Sequence, residues 1–451
     1  MTDGPVWKQL INFAIPMAIG LLFQQLYNTV DTIVVGRFVG KEALAAVGST
    51  SSIINMLVGL FAGLSTGASV VISQYYGAHD YPRLHDAVHT TISLTFIMSV
   101  LVTALGIVIV PPMLRMMDTP ADVFGQAQEY LTIYFAGVSG LLIYNMGSGI
   151  LRAVGDSRHP LYFLCFSALT NIVLDLLFVV QFHWGVAGVA YATILSQFIS
   201  AMLILGLLSR DPAPYGIHWR HLCLRRETLK HILSIGFPSG IQQAITAFSN
   251  VFVQSYINFF GSACMAGWSS YNKLDVFILI PMQSIALAST TFVGQNYGAG
   301  KLERAHKGAT QALAMAVSIT IALSVLLIVC ARPLLMLFTP DEEVITYGVR
   351  FITIISPFYF TMCFNQVFSG ALRGIGRANA PMFIMLFSFV VLRQLYLMVV
   401  RAFGTPFFFV SLAYPVGWIA CSILITIFYI RSPLCRAGRK KQPVQPSPSR
   451  F

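Results

Sequence analysis

Twelve long apolar stretches, divided by short breaks of glycine, proline and charged residues, dominate the sequence: residues 9–36, 51–75, 88–111, 125–150, 160–181, 186–209, 231–259, 270–295, 308–331, 345–371, 380–402 and 406–430. Each meets the roughly 20 mostly apolar residues that an α-helix needs to cross a bilayer core. The runs are far longer than the roughly 10 alternating residues of a barrel strand, so helices are expected. Only 10% of the residues are charged, against about 25% in a soluble domain. The expected fold class is an all-α polytopic membrane protein with twelve transmembrane helices, and the lipid bilayer is its first partner. The first run follows a single basic residue, Lys8, and carries no small-residue cleavage signature, so it reads as a retained helix rather than a signal peptide. The seven cysteines are scattered, with neither a disulfide framework nor a metal-ligand spacing.

The net charge of +11 raises the question of a polyanionic partner. Its placement gives another answer. With a cytoplasmic N-terminus, most Lys and Arg fall in cytoplasmic segments, among them Arg83, Arg152, Arg158, the run Arg210–Lys230, Lys301, Arg304, Arg373, Arg377 and Arg431–Arg450. That asymmetry follows the positive-inside rule, with both termini in the cytoplasm. A nucleic-acid partner is unnecessary.

The two halves of the chain repeat. "SQYYGAHDYPRLHDA" from Ser73 corresponds to "GQNYGAGKLERAHKGA" from Gly294, and "GILRAVGDSRHP" from Gly149 to "GALRGIGRANAP" from Gly370, both at an offset of 221 residues. Lys8 and Pro16 pair with Lys230 and Pro238 at 222. Six spans per copy leave both copies in the same orientation, so two pseudo-symmetric six-helix lobes related by an axis along the membrane normal are expected. The expected organisation is an N-terminal lobe (1–209), a cytoplasmic linker (210–230), a C-terminal lobe (231–430) and a basic, disordered tail (431–451). The linker, with Pro212, Pro214 and Gly216 breaking any helix and Trp219, Leu222 and Leu224 among its charges, reads equally as an interfacial or a solvated segment.

Ionisable groups at the centre of a spanning helix cost roughly 2.5–3.5 kcal/mol on insertion scales, so each should face a cavity or a partner. Asp31, Asp175 and Asp275 lie well inside spans, with Glu129 near one end and Arg393 as the interior base. By their distances from the span ends at 1.5 Å rise per residue, Asp31 on span 1, Asn171 and Asp175 on span 5 and Thr193 on span 6 share a depth roughly 8–15 Å below the outer surface. Asn171 and Asp175, four residues apart, share a helical face. Two carboxylates, an amide and a hydroxyl make an oxygen-rich set suited to a hard monovalent cation such as Na+, or to a proton shared between acids. Asp275 and Arg393, also at similar depth, are expected to form an ion pair of structural or functional character.

Span 1 carries a polar stripe of Gln24, Asn28 and Asp31, and span 7 one of Gln243, Thr246, Asn250 and Gln254. Such stripes form either helix–helix contacts or the wall of a water-filled substrate cavity, and the cavity is the preferred reading for Gln24, Asn28, Gln243, Thr246 and Asn250. The Asn is duplicated between spans 1 and 7, whereas Asp31 maps to Phe252 or Val253. Pro16, inside span 1, is the expected hinge. Gly59, Gly63 and Gly67 on span 2 mark close helix packing. The sequence contains no phosphate-binding loop, His-Glu-x-x-His motif or Gly-x-Ser-x-Gly elbow, so neither an enzyme nor ATP-driven transport is expected, and no cofactor is called for.

The two-lobed pattern, "VDTIVVGRFVGKEALAAVG" after span 1 and the paired "QYYGA"/"QNYGA" and "LRAVGD"/"LRGIGR" loops resemble the multidrug and toxic compound extrusion (MATE) family over about residues 5–430. The resemblance implies an antiporter of the inner membrane. It would export bulky, often cationic organic compounds by switching two lobes between outward and inward openings, driven by H+ or Na+. In DinF-like members the first-lobe cation site uses an Asp on helix 1, an Asn and an Asp four apart on helix 5, and a Thr on helix 6; Asp31, Asn171, Asp175 and Thr193 match that pattern. The acids that NorM-like members carry on helices 7 and 10 are missing here. A monomer is expected. The alternative, a lipid-linked saccharide flippase of a related branch, would need a strongly cationic cavity, and Arg393 alone offers little of one.

Overall fold

A computed structural model describes residues 1–117, 119–404 and 407–439. Helices account for nearly all of them, and no strand occurs among the described residues. The first half holds α1 (Val6–Val34), α2 (Lys41–Gly77), α3 (Tyr81–Met116), α4 (Ala121–Ala136), α5 (Val138–Val154), α6 (Arg158–Asp175) and α7 (Gly185–Arg210). The second holds α8 (Arg226–Asn258), α9 (Ser262–Gly298), α10 (Leu302–Val329), α11 (Ala331–Met336), α12 (Glu342–Ile355), α13 (Tyr359–Gly374), α14 (Asn379–Leu386), α15 (Arg393–Ala402), α16 (Phe407–Ser411), α17 (Ala413–Ile430) and α18 (Pro433–Arg439).

Each expected span is helical over its described residues, apart from short breaks. Among the described residues, ten helical segments are long and apolar enough to cross a membrane, and an eleventh arises if α4 and α5, bent by 48° at Gly137, form one span. The remaining long helix, α8, is diluted by Gln242, Gln243, Thr246, Ser249, Asn250 and Gln254.

The backbone repeats as the sequence does. Positive φ angles recur at an offset of 221 residues: Gly40 with Gly261, His79 with Gly300, Gly155 with Gly376, and His183 with Gly404. Two of these turns therefore hold a histidine where the second copy has glycine, the residue that enters this region without steric cost. Close helix approaches recur too: a Cβ on Gly149 would come within 2.6 Å of Ser65 Oγ, and one on its counterpart Gly370 within 2.6 Å of Thr290 Oγ1.

By packing, the chain divides into an N-unit, Ile19–Phe237, and a C-unit, Met1–Ala18 with Pro238–Phe451. These boundaries lie inside α1 and α8, a few residues from Pro16 and at Pro238, rather than at the 210–230 linker. The reason is apolar burial. Val6, Leu10, Phe13, Ala14 and Met17 of α1 are buried in one cluster with Met282, Ile285, Phe292, Ala312, Cys363 and Val367 of the C-unit. The first turns of α8 belong instead to the N-unit, where Gly236 meets Gly67 of α2 so closely that a Cβ on Gly67 would lie 2.5 Å from the Gly236 nitrogen. Gly67 thus makes the close packing expected of it.

The linker is fastened rather than solvated. Ile217 is buried and its N–H donates to Leu208 O at 2.8 Å. The Trp219 indole donates to Ser209 Oγ at 3.1 Å, and Arg225 N–H donates to Thr90 Oγ1 at 3.2 Å. The tail is not disordered from Arg431 onward: α18 is helical, with Leu434 and Cys435 buried against Ile425 and Tyr429. The remainder of the tail, from Lys440 to Phe451, lies outside the described residues.

Candidate functional site

Asp31 lies near the end of α1, one turn before the helix widens into a π-helical turn, Val35–Val39. Asp175 is the last residue of α6, immediately before a second π turn, Leu176–Gln181. Such turns inside helices often accompany functional sites, because a wider turn displaces side chains and backbone groups from the regular ladder. An apolar cluster ties these elements together: Val34 and Val35 pack with Val179, with Tyr130 of α4, and with Val186, Val189 and Ala190 of α7. Thr193 follows one turn later on α7. Alongside it, Ser167 of α6 donates to the Ser196 carbonyl at 2.7 Å, holding α6 against α7.

This scaffold brings all four expected cation-coupling residues into one unit. Asp175 is fully buried, Asn171 is 2% exposed and Thr193 6% exposed. Asp31 is half-buried, and its carboxyl lies close enough to that of Asp175 for each to influence the other's charge. Six buried polar atoms have no hydrogen-bond partner: Asp31 Oδ1, both carboxyl oxygens of Asp175, Asn171 Oδ1 and Nδ2, and Thr193 Oγ1. An unsatisfied buried polar atom costs about 1–3 kcal/mol, so these groups are placed to take a partner such as water, a proton or a cation. Two facing carboxylates offer only acceptors. Such a set has the chemistry to accommodate a proton between the acids or a hard cation among the oxygens.

Tyr130 also belongs to this site. It is buried and within electrostatic reach of both Asp31 and Asp175. In the sequence it sits in "EYLTIYF", where a tyrosine one turn from Tyr134 reads as aromatic packing, and only its spatial neighbours reveal the hydroxyl's setting.

The C-unit treats its acid differently. Asp275 accepts a short hydrogen bond from Tyr359 Oη, which in turn lies 2.5 Å from Tyr271 Oη. Arg393 Nη2 donates to Ser249 Oγ at 2.6 Å and to Asn250 Oδ1 at 3.0 Å, and its guanidinium lies 5.0 Å from the Tyr414 ring centroid. The expected Asp275–Arg393 ion pair is therefore not formed: each group is held by neutral partners instead. Equal depth fixes a residue's height in its helix but not the direction in which it points. Arg393 does share one feature with Asp175, for it too adjoins a π turn, Phe387–Leu392.

Of the expected cavity residues, Asn28, Gln243 and Asn250 are exposed, and Gln24 and Thr246 half-buried. Thr246 Oγ1 donates back to the Gln242 carbonyl at 2.7 Å. Asn250 is engaged by Arg393. Pro16 lies within a continuous α1.

An all-helical, membrane-crossing chain built as a parallel repeat, with a cluster of unsatisfied intramembrane carboxylates, has the make-up of a transporter. The chain belongs to the MatE family, whose model matches it twice, over residues 16–177 and 238–399, beginning each time at a repeat-equivalent proline. It is 29% identical to the probable multidrug resistance protein YpnP of Bacillus subtilis over 397 residues, covering 87% of this chain and 88% of that protein. It is 25% identical over 381 residues to the probable multidrug resistance protein NorM of Thermotoga maritima, covering 84% and 82%. Among solved structures, an outward-facing multidrug resistance MATE family transporter of the MOP superfamily superposes with a TM-score of 0.90 at 26% identity, covering 97% of this chain and 98% of that one. The twelve-helix, two-lobed MATE fold and membership of the multidrug efflux transporters follow.

Proposed function

We propose that this protein is a cation-coupled antiporter that exports bulky, often cationic organic compounds, with H+ or Na+ exchanged at Asp31, Asn171, Asp175 and Thr193, as in the DinF-like branch. The observation that carries the reading is the cluster of six unpartnered buried polar atoms on these four residues. In the C-unit Asp275 already has a donor in Tyr359, so the ion is assigned to the N-unit carboxylates.

Bringing two carboxylates together makes their charge states interdependent, since ionising the second beside the first is opposed by like-charge repulsion. A proton or Na+ relieves that repulsion. Coupling follows if one conformation favours the neutralised pair and the other favours the drug, because an ion shifts an equilibrium only by its differential affinity for the two states. Pro16 lies in the same helix as Asp31, where a missing backbone hydrogen bond permits bending. It is therefore the hinge in this scheme. The amide stripes of Gln24 and Asn28 on α1, and of Gln243, Thr246 and Asn250 on α8, supply polar contacts to substrate. The protein acts as a monomer in the cell's inner membrane, with both termini cytoplasmic.

The test is resistance to toxic dyes in cells expressing the protein. Asp31→Asn removes the ionisable group with little change of shape. It should abolish the resistance at unchanged membrane expression, and retained resistance would overturn the assignment.

A further inference from the structure

Four of the chain's nine histidines converge at one place in the N-unit, remote in sequence from the carboxylate cluster. His85 and His89, one turn apart near the start of α3, stack with ring centroids 3.9 Å apart. The linker lays His218 and His221 beside them: His218 lies 5.7 Å from His85 and 6.2 Å from His89, and His221 5.6 Å from His85 and 5.8 Å from His218, all between ring centroids. The ligand nitrogens of His85, His89 and His218 all lie within 4.8 Å of one another.

The cluster is organised beyond the rings. His89 Nδ1 donates to the His85 carbonyl at 2.8 Å, which fixes the tautomer and leaves the Nε2 lone pair free to accept. That lone pair accepts the His218 backbone N–H at 2.9 Å, so coordination through His89 Nε2 exchanges this hydrogen bond for the metal bond and leaves the N–H of the exposed His218 to water. An Nδ1–H held by a backbone carbonyl is the usual support of an imidazole that ligates a metal through Nε2. The linker is held over α3 by the Arg225–Thr90 hydrogen bond and by the Arg225–Asp86 ion pair at 3.5 Å. The remaining acid of that helix turn, Asp80, is committed to the Arg83 backbone N–H and guanidinium. Among the described residues, no carboxylate joins the three histidines in the candidate ligand group. The repeat does not explain it either: His85 corresponds to His306, but His89 corresponds to Thr310 and the second copy has no such linker.

We propose that His85, His89 and His218 form a binding site for a divalent transition metal, with His221 or water as the fourth ligand. An all-imidazole set selects Zn2+, Ni2+ or Cu2+ over the oxygen-seeking Ca2+ and Mg2+. Tetrahedral Zn–N bonds of roughly 2.0–2.1 Å place ligand nitrogens about 3.3 Å apart, so the nitrogens, now within 4.8 Å of one another, close by at most about 1.5 Å on binding. His218 and His221 are exposed and His85 half-buried, so their rings have room to turn. The bound metal staples the linker to α3.

The experiment uses the full chain in detergent, purified without a histidine tag and stripped with chelator. Co2+ is titrated as a spectroscopic probe, followed by displacement with Zn2+. The wild type should bind one metal per chain with visible ligand-field bands of a tetrahedral site, and Zn2+ should raise its melting temperature. His218→Gln, on the exposed linker, should weaken binding at least tenfold, and His85→Gln with His218→Gln should abolish it along with the thermal shift. His183→Gln, at a histidine outside the cluster, should change nothing. Wild-type binding no stronger than that of the double variant would overturn the proposal, as would equal loss in the His183 variant.

Discussion

Gly67→Ala tests the contact by which the first turns of α8 join the N-unit. A Cβ at Gly67 would lie 2.5 Å from Gly236 N, 2.5 Å from Ile232 O and 2.6 Å from Gly236 Cα. All three are backbone atoms, which cannot swing aside as a side-chain tip can, and ordinary carbon contacts lie at about 3.5–4.0 Å. The helices must separate by about 1 Å, an overpacking that costs about 1–3 kcal/mol. Against this stands the gain of about 0.5–1 kcal/mol for alanine over glycine in a helix. The net loss is about 0–2.5 kcal/mol, or up to roughly 10 °C in melting temperature at about 2–4 °C per kcal/mol for a unit of this size. Gly206→Ala is the matched control, since a Cβ there meets nothing within 4 Å. It should raise the melting temperature slightly. Thermal unfolding in detergent, followed by tryptophan fluorescence, reads both. A Gly67→Ala protein that melts at or above the Gly206→Ala value would refute the close α2–α8 packing.

Tyr359→Phe should leave the half-buried Asp275 carboxyl without its donor and destabilise the protein by about 1–2 kcal/mol, whereas Tyr396→Phe, whose hydroxyl bonds Phe409 O in an exposed setting, should have a much smaller effect; equal melting of the two variants would contradict the tyrosine–carboxylate network. Asp3 is held below the usual carboxylate range chiefly by its hydrogen bond from Lys301. Its depressed folded-state value means that the added stability is present above the ordinary carboxylate range and is lost as pH falls through the folded value. Amide-exchange protection of residues 1–5, corrected for intrinsic rates, should therefore drop on acidification in the wild type and be lower and less pH-dependent in Asp3→Asn; pH-independent protection in the wild type would count against the tether.

The spans were legible because apolar runs of bilayer length have few other uses, and the repeat because its loops keep glycine and charge at a constant offset. The carboxylate cluster was legible because an aspartate inside an apolar span is conspicuous and helix ends give its depth. Azimuth was not legible, which is why Asp275 and Arg393, level in depth, point to different partners. The bend at Gly137 and the three π turns leave hydropathy unchanged, so a pattern of apolar residues cannot locate them. The packing of the start of α1 in the C-unit was hidden because Leu10, Phe13 and Met17 are equally apolar whichever helices they meet. The histidine cluster joins residues 129 positions apart in its His89–His218 contact, a distance over which the sequence offers no local signal.

The central claim is that an ion bound between Asp31 and Asp175 drives export. Purified protein in vesicles, with dye transport followed under an imposed pH gradient and separately under an imposed Na+ gradient, tests it most directly. At least one gradient should drive dye movement by the wild type and neither should do so for Asp31→Asn or Asp175→Asn, while the variants still bind dye at equilibrium. Gradient-driven transport at wild-type rates by either variant would contradict the account.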